Sequence, residues 1–253
     1  MNTTILSTAL ALTLIMSAYV TAEETHPTLE QHKQASHEAH WDYEKHGPEH
    51  WGNFSGTCDM GKAQSPINIV PTQSIELDAL HEISFAEDFH TDAKIFDNGH
   101  SIKVIPSNGS KITIHGKDYK LVQFHFHGKS EHTIDGRQYD MVAHMVYQAK
   151  DKTLAVVAVM FEVGEKNEFL QTIINNIGST ANIDPQDLLP KDISHYYHYI
   201  GSLTTPPCSE NVQWYILKHT DSISNAQLKT FRKFYIDNQR PVQAINARDI
   251  ESK

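Results

Sequence analysis

The sequence predicts an α+β fold in which sheet dominates, and three observations carry that expectation. Short runs of alternating apolar and polar residues recur along the chain, separated by Gly, Asn and Asp turns instead of helices, as antiparallel strands require. One run, Leu154 to Phe161, is almost continuously apolar, which fits a central strand buried on both faces. Only two stretches combine a helical apolar period with capping residues.

Taken in order, residues 5–20 (Ile5 to Val20) carry no charge and are mostly apolar, and Val20-Thr21-Ala22 offers small residues before Glu23-Glu24. This reads as a signal peptide, residues 1–22, cleaved near Ala22. Its amino-terminal region has no Lys or Arg, so an uncleaved anchor is the alternative. Residues 23–40 are polar, sprinkled with His26, His32, His37 and His40 and without apolar period, and read as a flexible leader. One domain is then expected over residues 41–253, since nothing suggests a second domain or a repeat.

Within it, His46-Gly47-Pro48-Glu49-His50-Trp51 is an aromatic, turn-rich segment suited to irregular packing over a core. Strands are expected at Ile83 to Phe85, Ala93 to Phe96, Ser101 to Ile105, Lys111 to His115 and Tyr119 to His127, with His115-Gly116-Lys117-Asp118 turning between the last two. Asp140 to Tyr147, Leu154 to Phe161, Tyr196 to Ile200 and Val212 to Leu217 follow, with a short turn region at Asp184 to Pro190. The first helix has Asn167 at its start, Phe169, Ile173, Ile174 and Ile177 as its stripe and Gly178 at its end. The second opens on a Ser224/Gln227 capping box and buries Leu228, Phe231 and Tyr235.

With 31 acidic and 21 basic residues the net charge is −10, which argues against nucleic acid and anionic lipid as partners. Cys58 and Cys208 are the only cysteines. In the oxidising compartment that export implies they can form one intramolecular disulfide, the alternative being two buried thiols.

The chemistry centres on Gln123-Phe124-His125-Phe126-His127. Strand alternation sends Gln123, His125 and His127 to one face and the phenylalanines to the other. Asp135-Gly136 is a hairpin signal, and the returning strand carries Val142, His144 and Val146 on one face. If the two faces coincide, three imidazoles converge, leaving a fourth tetrahedral position of a zinc ion to water. With 17 histidines in the chain, a chance His-x-His pair is the competing explanation.

Further motifs decide between them: Trp41-x-Tyr43, Gly47-Pro48-Glu49-x-Trp51, Ser65-Pro66-Ile67-Asn68-Ile69, Asp97-Asn98-Gly99-His100, Ser130-Glu131-His132-Thr133, Gly201-Ser202-Leu203-Thr204-Thr205-Pro206-Pro207-Cys208 and Asn238-x-Arg240-Pro241-Val242-Gln243. In this order they resemble the α-class carbonic anhydrases, in particular the exported bacterial ones, over nearly all of residues 41–250. The resemblance implies a central, twisted, mostly antiparallel sheet of about ten strands with peripheral helices. It implies zinc on His125, His127 and His144, activating water to attack carbon dioxide and give bicarbonate. Thr204 and Glu131 match the pair that orients the nucleophile, and Val146, Val156, Leu203, Val212 and Trp214, with Thr205 beside them, match the substrate wall. His100 matches the proton shuttle, and Tyr43, Asn98 and Thr205 its supports. A periplasmic or secreted location, freedom from membrane after signal cleavage, and a homodimer are also implied.

Two positions depart from the family: Gly128, where many relatives carry a bulkier residue, implies a shortened, more open loop, and Val142 bears on the metal. Gln123 can accept from His125, but the glutamate that relatives carry two residues before the third histidine is Val142 here, and valine accepts no hydrogen bond. An active enzyme with looser metal binding is one outcome. The other is a turnover-impaired zinc-binding or adhesion module.

Overall fold

The computed structural model describes residues 40–77, 83–85 and 89–253; the expected signal peptide and nearly all of the leader lie outside them. Sixteen strands are described: β1 (Asn68–Ile69), β2 (Ile75–Glu76), β3 (Ser84–Phe85), β4 (Thr91–Asp97), β5 (Ile102–Pro106), β6 (Lys111–Ile114), β7 (Lys117–His127), β8 (Thr133–Ile134), β9 (Arg137–Gln138), β10 (Met141–Ala149), β11 (Leu154–Val163), β12 (Ser179–Ile183), β13 (Tyr196–Ser202), β14 (Glu210–Leu217), β15 (Asp221–Ile223) and β16 (Glu251–Ser252). Ten of them form one path, β12-β4-β5-β7-β10-β11-β14-β13-β16-β2, with β3, β6 and β15 attached beside it. Most neighbours are antiparallel, as expected. The exceptions are β11 with β14 and β15, and β16 with β2, so the sheet is mixed.

The alternation that places the site also divides the core. Along β10, Met141, Ala143, Met145 and Tyr147 face a cluster that includes Phe124, Phe126 and Phe161. The helices α1 (Glu168–Asn175) and α2 (Asn225–Phe234) cover this face with Leu170, Ile173, Leu228 and Phe231. Val142 and Val146 face the opposite way, into a second cluster with Val156, Met160, Val212 and Trp214. Because apolar contacts cover both faces, β11 is buried from Ala155 to Phe161, as its unbroken apolar run predicts.

Both helices begin where their caps predict. Asn167 accepts the Leu170 N–H, and Ser224 and Gln227 form the reciprocal capping box. The first helix stops earlier than expected, at Asn175 with Asn176 as its C-cap, and Gly178, at φ +91°, instead turns the chain into β12, its N–H donating to the Ile95 carbonyl at 2.8 Å. Tyr235 corrects the second helix: it lies past the last helical residue, half-buried, and its hydroxyl donates to Asp97. The turn between β6 and β7 is also tighter than expected. His115 and Gly116 alone carry positive φ, and Lys117 already belongs to the strand. Cys58 and Cys208 are bonded across 150 residues of sequence.

Candidate metal centre and active site

The register of β7 against β10 sets His144 opposite His125, Val142 opposite His127 and Val146 opposite Gln123. The two predicted faces therefore coincide, and the three rings stand 4.8–5.4 Å apart between centroids. One ligating nitrogen from each lies within 4.8 Å of the others.

The outward nitrogens show which atoms turn inward. His125 Nδ1 is 2.9 Å from Gln123 Oε1, and His127 Nδ1 is 2.6 Å from the Asn238 carbonyl oxygen. Each Nδ1 thus donates, and each Nε2 is left with a lone pair toward the centre; His127 Nε2 is buried with no partner. His144 is turned the other way round. Its Nδ1 and His127 Nε2 lie 3.7 and 3.6 Å from the same Glu131 oxygen. Burial and neighbouring imidazoles hold His125 and His144 well below the ordinary histidine range, so both are neutral. Neutral imidazoles with free lone pairs are the donor chemistry zinc takes, so the residues present fit that ion.

The second nitrogen of His144 is the exception anticipated at Val142. His144 Nε2 is buried without a partner, and so is Nδ1 of His132, whose ring lies 6.2 Å from that of His144. His132 Nε2 is engaged with the Tyr199 hydroxyl at 2.7 Å. Val142, fully buried two residues before His144 on the same strand face, offers neither histidine an acceptor.

Glu131 sits behind the rings. Its Oε1 accepts the Arg240 backbone N–H at 2.8 Å. Burial pushes its carboxyl up, while His127, that N–H and the Thr204 hydroxyl beside it pull down. Arg240 donates onward to Gln64, Ser65 and Cys58 at 2.8–2.9 Å, which fixes the segment carrying that N–H.

A cavity of about 320 Å³ opens over the rings, lined by Val146, Val156, Leu203 and Trp214 on one side and by Tyr43, Asn98, His100 and Lys103 on another, with Thr204 and Thr205 between. Val212, also expected in the wall, is buried in the same cluster as Val146, Val156 and Trp214 and is not among the residues lining the cavity. Asn98 lines the cavity but also builds the turn under His100, its Oδ1 accepting the His100 and Ser101 N–H groups at 3.0 and 2.8 Å.

His100 stacks on Trp41 with centroids 3.7 Å apart and lies 5.0 Å from His40. Burial, with His40 adding, pushes it down to about 4, below the range expected of an exposed shuttle. Trp41, Lys103, Asn238 and Arg240 were missing from the expected site. Asn238 is its hub: besides its carbonyl on His127, its Nδ2 donates to the Phe126 and His100 carbonyls and its Oδ1 accepts from Gly128. Backbone acceptors leave no residue signature, but the Asn238-x-Arg240 motif marked the segment.

The fold and this pocket define the class: an enzyme built around a candidate three-imidazole metal centre at the foot of a half-apolar cavity. Residues 46–253 match the eukaryotic-type carbonic anhydrase family. A carbonic anhydrase of Neisseria gonorrhoeae is 42% identical over 222 residues, covering 83% of this chain and 86% of its own. Among solved structures, the α-carbonic anhydrase of Thermovibrio ammonificans in complex with sulfanilamide superposes with a TM-score of 0.78 at 41% identity, covering 84% of this chain and 99% of its own. Dioscorin complexed with ascorbate superposes equally, at 0.78 and 30% identity over 85% of this chain and 98% of its own. The chain belongs to the α-class, eukaryotic-type carbonic anhydrases.

Proposed function

We propose that the protein hydrates carbon dioxide reversibly to bicarbonate and a proton, using zinc held by His125 and His127 through Nε2 and His144 through Nδ1. The observation that supports this most directly is the inward convergence of three imidazole nitrogens, two of them backed by outward hydrogen bonds. Bound zinc supplies the Lewis acidity that ionises water near neutral pH, chemistry of which carbonic anhydrase is itself the standing example.

The chain's own side chains position and transfer. Val146, Val156, Leu203 and Trp214 give an uncharged molecule an apolar wall without competing for charge. The Thr204 O–H donates a hydrogen bond to Glu131 and keeps its proton, so its oxygen lone pair is left to face the cavity and aim the nucleophile. His100 carries the product proton out by leaving its stack on Trp41 for the wider cavity, where a hydrated ring regains ordinary basicity. Tyr43, Asn98 and Thr205 hold the intervening water.

We read the working compartment as periplasmic or secreted, because the Cys58–Cys208 bond persists only under oxidising conditions. Stopped-flow hydration of carbon dioxide by the zinc-loaded protein tests the reading. Catalysis lost in His125→Ala supports it, whereas zinc-loaded protein without turnover leaves the zinc-binding module as the better account.

A further inference from the structure

Away from the cavity, Asp192, His195 and His219 bring three metal-ligating atoms within 4.8 Å of one another. They come from two segments. Asp192 and His195 lie in the loop entering β13, and His219 in the turn leaving β14. The Lys218 N–H donates to the His195 carbonyl at 3.0 Å, one step beyond the last ladder pair, Tyr196 opposite Leu217. Both imidazoles are thus placed by a paired ladder, not by a free loop.

Asp192 is arranged in advance. The Ser194 N–H and hydroxyl donate to its Oδ1 at 2.9 and 2.6 Å, which turns Oδ2 toward the rings. Those two bonds pull the carboxyl down to about 2, so it is ionised at neutral pH. Oδ2 lies 3.2 Å from His195 Nδ1 and 3.0 Å from His219 Nε2. A charge-assisted N–H···O bond is usually about 2.7–2.9 Å. Ligand atoms in a zinc tetrahedron with bonds of about 2.0–2.1 Å stand about 3.3 Å apart, so a cation entering here needs these contacts to open by only a few tenths of an ångström and takes the place of the protons between them, including the one His195 Nδ1 shares with the Ser194 hydroxyl at 2.9 Å.

We propose that Asp192, His195 and His219 form a second metal site, open to solvent, for a late first-row divalent cation such as zinc, nickel or copper. Two imidazoles and one carboxylate suit these ions, whereas magnesium and calcium take mostly oxygen ligands. With side chains 40–55% exposed, the site binds more weakly than the buried triad, and water completes its coordination. Occupied, it ties the loop before β13 to the turn after β14.

The test is equilibrium dialysis of the full chain against stepped zinc concentrations, with metal counted per chain. Two equivalents are expected, the second weaker. His219→Ala and the near-isosteric Asp192→Asn should each weaken the second equivalent at least tenfold while the first equivalent and carbon dioxide hydration stay unchanged. Saturation at one equivalent overturns the proposal. So does a second equivalent indifferent to both substitutions, which would place the ion elsewhere, for instance on the histidines of residues 23–40.

Discussion

Replacing Val142 by glutamate tests how the metal centre is tuned. Two buried ring nitrogens, His144 Nε2 and His132 Nδ1, have no hydrogen-bond partner, and His144 shares its strand face with Val142 two residues before it. A buried polar group left unpaired costs about 1–3 kcal/mol. Loss of an outer acceptor from a metal-binding histidine typically costs about 10–100-fold in affinity, or about 1.4–2.8 kcal/mol. The two ranges agree, so one acceptor reaching His144 Nε2 should restore most of that amount. The assay is the rate at which zinc passes from loaded protein to excess chelator. Val142→Glu should slow release about 10–100-fold, Val142→Gln by less because a neutral amide is the weaker acceptor, and Val142→Leu not at all. Melting of each metal-free variant reports whether the fold tolerates the new group. Release unchanged or faster in both the Glu and Gln variants, with the fold intact, would refute the reasoning.

Other outcomes are expected. His100→Ala should lower turnover in dilute buffer and recover with added imidazole; unchanged turnover removes the shuttle. Trp41→Ala unstacks His100 and should raise its pKa from about 4 toward the ordinary value, read by NMR titration of the ring. Metal-free protein should lose stability on acidification. His100, His125, His132 and His144 are all held below 6.5 when folded, so the unfolded chain binds more protons, and the stability present above pH 6.5 is lost as pH falls toward the folded values. Denaturant unfolding at pH 5 should show uptake of up to four protons. Replacing both cysteines by serine reopens a loop of 150 residues and should cost up to about 5 kcal/mol of unfolding free energy; a cost under about 1 kcal/mol would defeat the loop-entropy account.

Legibility in the sequence followed how local the signal was. The two-residue side-chain period puts His125 and His127 on one face of β7 and His144 on one face of β10, which makes the three candidate imidazoles legible; that the two faces coincide depends on the register of β7 against β10. The caps at Asn167 and Ser224 were equally local. By contrast β12, which pairs with β4 across more than 80 residues of sequence, has the pattern Ser-Thr-Ala-Asn-Ile, too polar to be told from a loop. Two-residue strands such as β1 and β16 carry no period at all. The parallel contact of β11 with β14 was hidden because a run buried on both faces says nothing of its neighbours' direction. In the site, side-chain chemistry was visible, while the Asn238 carbonyl and the Trp41 stack on His100 depend on tertiary placement.

The missing acceptor at Val142 separates two duties that one outer group commonly performs, orienting a ligand and raising its basicity. Packing takes over the first. The His144 ring meets Trp214 edge-on at 4.9 Å and 77°, stands 4.8 Å from His127, and is buried to about 1% exposure. Its partner Trp214 is itself fixed by donating its indole N–H to the Ser202 carbonyl at 2.9 Å. A ring so enclosed cannot rotate without displacing close-packed neighbours, so its Nδ1 keeps its aim with no hydrogen bond behind it. No packing contact makes an imidazole a better electron donor, so the second duty goes unfilled. Affinity and catalysis should therefore part company here: zinc should leave faster than from a chain with glutamate at this position, while the geometry of the loaded centre, and with it turnover at saturating zinc, is preserved.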